Sequence, residues 1–237
     1  MNSITILMYH QVGEFAPMKN HRATFCHIRN FRKQMRFLKR FGYSVLSLSD
    51  AWSMLREARP IPKRAVVLTF DDGYDNFREY AFPELRRHDF PSTVFLVANK
   101  IGGRADWLLD DAMDAPPLLD RETILDLRRQ GVDFQSHGCS HSRLSKLPVD
   151  EARREIAGSK TTLESLMGEP VRFLCYPYGD YDPTTVDLAR EAGYEAAVTC
   201  RRGRAVPEDP PLELPRIAVS YGTGLAGFYW KLRHQKA

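Results

Sequence analysis

A chain of 237 residues that is 43% hydrophobic and 27% charged can bury a sizeable core, which excludes a disordered protein and makes one α/β domain over residues 1–237 the economical expectation. A net charge of +4 is weak support for nucleic acid, which needs a clustered basic patch; an anionic lipid or glycan partner suits the charge equally well. No apolar stretch is long enough to span a bilayer, the start lacks the basic region of a secretory signal, and Cys26, Cys139, Cys175 and Cys200 form no CxxC pair, so free buried thiols and a cytoplasmic address are expected.

Taken in order, the segment from Ile4 to Tyr9 reads as a buried strand that delivers His10 to its end. From His21 to Lys39, Phe25, Ile28, Phe31, Met35 and Leu38 recur at helical spacing with a basic outer face. A short strand follows from Tyr43 to Leu48, then a helix through Arg56 capped by Ser49 or Asp50. Val66 to Phe70 is an apolar, β-branched run that ends in Asp71-Asp72-Gly73. A helix from Glu79 to His88 and a strand from Pro91 to Val97 come next. Lys100 to Asp120 is broken by Gly102, Gly103, Pro116 and Pro117 and reads as a long loop that shapes a substrate groove. Beyond it lie helices over 121–130, 149–167 and 183–192 and strands over 132–136, 171–175, 194–199 and 214–219. The alternation predicts parallel βαβ units, in a barrel or an open sheet, with the polar motifs at strand C-termini, where such folds build their sites.

Two adjacent carboxylates at the end of a buried strand are costly unless something pairs with them. His137 and His141, four residues apart, can face one point from a helical turn or a tight loop. With one carboxylate from Asp71-Asp72 they form a two-histidine, one-carboxylate set that leaves positions open for water and substrate. Zinc is the first candidate for such a set, and cobalt, nickel or iron also suit it. HxxxH alone is equally a surface turn with two solvated histidines; its coupling to the strand-terminal Asp-Asp favours the metal. With Asp72 on the metal, Asp71 is free to act as general base on metal-bound water, the alternative being a cap for the following helix.

Thr69-Phe70-Asp71-Asp72-Gly73, Ser136-His137-x-x-x-His141 and Tyr176-Pro177-Tyr178-Gly179, in this order, resemble the first three motifs of the polysaccharide deacetylases, the NodB-homology or carbohydrate esterase family 4 enzymes. Met8-Tyr9-His10-Gln11-Val12 is similar to the permuted branch that contains the poly-N-acetylglucosamine deacetylases. The resemblance spans nearly the whole chain. It implies a distorted (β/α)7 barrel that removes acetyl groups from N-acetylated sugars with a divalent metal, with Asp71 as base, Asp72, His137 and His141 as metal ligands, and the Tyr176 N–H as an oxyanion donor. Two features depart from the pattern. Phe173-Leu174-Cys175 stands where an arginine usually tethers the base, and Arg216 is the candidate replacement, unless it is an ordinary surface residue. The late Leu-x-His that supplies the general acid is missing, and His10, after Leu7-Met8-Tyr9, is the candidate to fill it, with a core histidine as the bland alternative; His234 is a poor competitor. Trp107 and Tyr178 are placed to stack on a sugar ring or to pack the core. Aromatic and basic residues concentrated from Gly224 to His234 suit either contact with an anionic membrane or closure of the barrel floor.

The expected function is a metal-dependent hydrolase that removes the N-acetyl group of an N-acetylamino sugar, polymeric or lipid-linked, at the inner face of a membrane, with no nucleic-acid partner. Two rivals share these residues: a cyclic amide hydrolase or deformylase on the same fold, and a catalytically silent carbohydrate-binding protein.

Overall fold

Each apolar run is short, and each is followed by an amphipathic segment long enough to cross back over a sheet, so the chain pairs its strands in parallel. The computed structural model describes residues 2–16, 22–57, 59–111 and 115–233. Ten strands form among these: β1 (Thr5–Tyr9), β2 (Gln11–Gly13), β3 (Phe25–His27), β4 (Ser44–Leu46), β5 (Ala65–Phe70), β6 (Thr93–Leu96), β7 (Asp133–Ser136), β8 (Phe173–Cys175), β9 (Ala196–Arg202) and β10 (Leu214–Ala218). The α-helices are α1 (Ile28–Arg40), α2 (Leu48–Arg56), α3 (Phe82–His88), α4 (Arg121–Arg129), α5 (Val149–Met167), α6 (Pro183–Glu191) and α7 (Leu225–Arg233).

β1 pairs with β10 on one side and β5 on the other, which closes β5 through β10 and β1 into a seven-stranded parallel barrel. This is the distorted (β/α)7 barrel expected from the sequence. β4 and β6 share one edge of β5, β4 against Ala65–Val67 and β6 against Thr69 and Phe70. The period-2 alternation of strands sorts the side chains. Ile4, Ile6, Val67, Phe95, Phe173 and Val198 join one apolar cluster with Leu48, Ala51, Trp52 and Leu55 of α2, while Leu7, Val66, Leu68, Phe70, Leu174 and Ile217 pack with the other helices. Thr69 and Asp71 continue the face of Val67, as Arg216 continues that of Leu214 and Cys175 that of Phe173. The same alternation that fills the barrel with hydrocarbon therefore ends in a polar layer at its C-terminal mouth.

Several boundaries differ from expectation. His21 lies outside the described residues, and Phe25–His27 is a strand paired with β2, so α1 starts only at Ile28, where the His27 Nδ1 accepts from the Arg29 N–H at 3.1 Å. Phe25 keeps the i, i+3 rhythm of Ile28 and Phe31 while obeying a strand's pairing, and three residues are too few to betray a change of period. The cap of α2 is Ser47, whose Oγ accepts from the Asp50 N–H at 3.0 Å, because the helix opens one residue before the expected caps. The loop over 100–120 contains a 3-10 stretch at Asp106–Asp111 and is tied down by bridges Arg104–Pro117 and Tyr74–Leu118; residues 112–114 lie outside the described set. The last turn of α7 reaches the strand N-terminal end of the barrel, where the Arg204 side chain donates to the Leu232 carbonyl. Phe228 and Leu232 are buried, with the Phe228 ring 6.2 Å from that of Phe37 on α1, and the apolar side chains packed with the barrel's lower interior come from α2. His234 lies outside the described residues. Cys26, Cys139 and Cys175 are buried free thiols, but Cys200 is exposed, because β9 leaves the packed layer after Thr199.

Candidate active site

β5 carries Asp71 and Asp72 to the mouth of the barrel, and both are 3% exposed. The chain reverses abruptly there: Asp72 and Gly73 both have φ of +75°. Glycine is required at 73, since a Cβ would lie 2.7 Å from Leu96 Cδ2 and would face a left-handed backbone besides. Gly73→Ala is expected to cost about 1–3 kcal/mol, read as a lower urea midpoint at unchanged m-value.

The two aspartates are separated by this turn into different environments. Both oxygens of Asp71 are held by Arg216, Oδ1 by Nη1 and Oδ2 by Nη2, each at 2.7 Å. Arg216 is 1% exposed, so it is no surface residue. Its Nη1 also donates to Thr69 Oγ1 at 3.1 Å, its Nε donates to the Thr199 carbonyl at 3.0 Å, and Nη2 lies 3.1 Å from Cys175 Sγ. Burial acts to raise the Asp71 carboxyl, but the charge and hydrogen bonds of Arg216, helped by His10 and His137, bring it out below its ordinary value. Asp71 caps no helix.

Asp72 faces the histidines. Its Oδ1, buried without a hydrogen-bond donor, lies 3.2 Å from Nε2 of both His137 and His141. Burial raises this carboxyl too, but His141 and His137 outweigh it and hold it well below the carboxylate range. Burial outweighs Asp72 at His141 and leaves it below its ordinary value, whereas at His137 burial is outweighed by Cys175 and Asp72, which raise it well above. The His137 Nδ1 lies 2.7 Å from the Cys175 carbonyl, which fixes the proton on that nitrogen and leaves Nε2 facing Asp72. One carboxylate oxygen and two imidazole nitrogens, all buried and all within 4.8 Å of one another, fit a divalent cation. Asp71, His137 and Cys175 satisfy the same distance limit. That second set suits a cation poorly: Arg216 already occupies Asp71, and burial pushes the Cys175 thiol up to about 11, so it keeps its proton.

The two histidines stand on a loop after β7, with Gly138 and His141 in the left-handed region. Glu155 of α5 holds this loop from outside. Its Oε2 accepts from the N–H groups of Cys139 at 3.0 Å and Ser140 at 2.9 Å, and its Oε1 from the Ser140 hydroxyl at 2.7 Å. Sequence reasoning missed Glu155, since one more acidic residue in a polar helix carries no signal of a partner 15 residues away. Glu155→Ala is expected to weaken metal affinity about 10–100-fold, by competition against a chelating indicator.

His10 sits between β1 and β2, with its Nε2 3.9 Å from Asp71 Oδ2 and its side chain 17% exposed. It therefore borders both the buried carboxylate and solvent. Trp107 stacks on His141, centroids 4.2 Å apart and planes 25° apart, so one of its faces is spent on the imidazole. Pro177 is buried and opens the turn that sets Tyr178, 43% exposed, 4.4 Å from the His141 ring, with the Arg143 guanidinium 4.1 Å over its own ring. The Tyr176 N–H does not face the mouth: it donates to the Val198 carbonyl at 3.3 Å, as parallel pairing of β8 and β9 demands. An oxyanion role for it would require that bond to be given up.

A model of the polysaccharide deacetylase family matches residues 58–197, which include the Asp-Asp, His-x-x-x-His and Tyr-Pro-Tyr-Gly motifs. A poly-beta-1,6-N-acetyl-D-glucosamine N-deacetylase of Staphylococcus epidermidis is 26% identical over 241 residues, covering 92% of this chain and 80% of its own. Among solved structures, the Streptococcus pyogenes deacetylase PplD in complex with acetate aligns with a TM-score of 0.83 at 25% identity, and IcaB from Ammonifex degensii with 0.82 at 22%; each alignment covers 98% of both chains. The IcaB likeness speaks for the fold. With the family's motifs matched in sequence and gathered at one barrel mouth, this chain belongs to the polysaccharide deacetylase family.

Proposed function

We propose that the chain is a metal-dependent N-deacetylase acting on an N-acetylated amino sugar, with residues 1–237 as one NodB-homology domain. The observation that carries this reading is the convergence of Asp72 Oδ1 with Nε2 of His137 and His141 at 3.2 Å, beside a second carboxylate that a buried arginine has taken out of the ligand set. Asp72, His137 and His141 hold the cation, zinc first among the candidates. When bound, the cation supplies Lewis acidity toward the acetamide carbonyl and lowers the pKa of water. Asp71 takes the proton of the attacking water. Each of its oxygens keeps a lone pair beyond the one Arg216 occupies, and Arg216 fixes the plane of the carboxylate. His10 gives a proton to the departing amine from the solvent side of Asp71. Tyr178 and the outer part of Trp107 border the sugar.

The substrate class follows from the likeness to the Staphylococcus epidermidis enzyme, named for a poly-N-acetylglucosamine. No helix among the described residues is long and apolar enough to cross a membrane. Tyr229 and Trp230, 43% and 49% exposed on α7, support a peripheral membrane contact and, with it, a lipid-linked substrate handled in the cytoplasm. Acetate release from β-1,6-linked N-acetylglucosamine oligomers and from lipid-linked N-acetylamino sugars tests the reading. Acetate should appear, disappear on chelation and return with added metal. Turnover of a cyclic amide without acetate from any sugar would replace the proposal with the rival hydrolase, and sugar binding indifferent to metal would replace it with a silent binding protein.

A further inference from the structure

The other end of the barrel carries a second polar cavity, remote from the mouth. Ser3 precedes β1, Tyr43 precedes β4, Arg64 precedes β5 and Arg233 ends α7; with Thr5 and Arg204 they line a cavity of about 220 Å³. This is smaller than the usual pocket for a drug-sized molecule, about 300–1,000 Å³. Three guanidinium groups thus meet at one small space. Among the described residues none of the three forms an ion pair and no carboxylate lines the cavity; the Arg64 guanidinium lies 5.7 Å over the Tyr43 ring and that of Arg233 5.8 Å over the Tyr229 ring. Arg64 donates to the Phe41 carbonyl and Arg204 to the Leu232 carbonyl, which satisfies one donor of each and none of the charge.

Two buried polar atoms here lack a partner among the described residues. Ser3 is 8% exposed and its Oγ makes no hydrogen bond; the same holds for Arg204 Nε. An unsatisfied buried donor is costly, and a guanidinium donor the more so. The arrangement is that of a receptor: positive charge with no counter-charge among the described residues, fork-shaped donors, and hydroxyls from Ser3, Thr5 and Tyr43 around a space for one small group. The geometry points to a second binding site, at the strand N-terminal end of the barrel, for a phosphate-class oxyanion. A tetrahedral anion with several acceptor oxygens can engage three guanidinium groups and a hydroxyl together, which a single carboxylate cannot. The charge of all three arginines also acts to lower the Tyr43 hydroxyl, although burial leaves it raised on balance.

Calorimetric titration of the metal-loaded full chain with inorganic phosphate, at constant ionic strength, tests the site. Saturable binding is expected, weakened about tenfold or more in Arg204→Gln and in Arg233→Gln, with acetate release unchanged in both. Arg233 is exposed at a helix end, so its loss leaves the fold intact should Arg204→Gln unfold. A parallel arm uses phosphatidylcholine vesicles with and without phosphatidic acid. Capture by the phosphatidic acid vesicles, lost in the same variants, identifies a lipid headgroup as the source; phosphate binding without capture identifies a soluble anion. Neither phosphate binding nor capture, or binding that survives undiminished in both variants, overturns the proposal. This outcome is independent of the hydrolase reading, since phosphate held at the barrel mouth would not respond to either substitution.

Discussion

Asp71→Asn should lower deacetylation by about 10²–10⁴-fold while the protein still binds one equivalent of metal. The substitution is nearly isosteric. It keeps one oxygen for Arg216, gives up the other of the two Arg216 hydrogen bonds because an amide nitrogen cannot accept, and leaves Asp72, His137 and His141 untouched, so it removes the proton acceptor without touching the metal set. Loss of activity together with loss of metal would mean that Asp71 belongs to the ligand set, and activity within tenfold of the parent would mean that another group is the base. The pH response follows from the same pair. Asp71 lies below its ordinary value in the folded chain, so its contribution to stability is fully present above the unfolded carboxyl value of about 3.9 and is lost as the pH falls through the lower, folded one. Asp71 is therefore ionised, and competent as a base, throughout the neutral range.

Arg216→Met should be the more damaging change to the fold. It removes two hydrogen bonds to Asp71 and one each to Thr69 and Thr199, and leaves a carboxylate 3% exposed with no cation of its own. Breaking one partner out of such a buried pair costs about 3–5 kcal/mol. Burial then acts on Asp71 without its main opposition, so its carboxyl rises and the acidic limb of the kcat/KM profile moves to higher pH. Urea melts and the pH profile check both halves. The double variant with Asp71→Asn should lose less stability than the two single losses added together, because the second change removes the stranded charge. An unmoved pH profile, with stability near that of the parent, would show that the pair does not govern the base.

The strand that ends in Asp71-Asp72 was legible because a β-branched run followed by Asp-Asp-Gly has few other uses. His137 and His141 were legible as a pair for the same kind of reason: their spacing is local. What joins them to Asp72 is the barrel, and the motif order hinted at it. The partnership of Asp71 with Arg216 was only a guess from the sequence. The two lie 145 residues apart on β5 and β10, and they meet because β1 pairs with both of those strands and their inward faces point into one interior. Pattern reveals which face a residue occupies, but not which strands will be neighbours. The commitment of the Tyr176 N–H to Val198 was hidden likewise, because a motif does not state where a backbone donor points. α2 escaped notice as the packing partner of the lower barrel, since an amphipathic helix of nine residues looks the same whether it packs outside a sheet or against its interior.

Anomalous scattering from a crystal of the protein loaded with cobalt is the most direct measurement of the central claim. One strong peak within bonding distance of Asp72, His137 Nε2 and His141 Nε2, with Asp71 still paired to Arg216, is the predicted result. A peak between Asp71, His137 and Cys175, or no ordered cation at the barrel mouth, would contradict it.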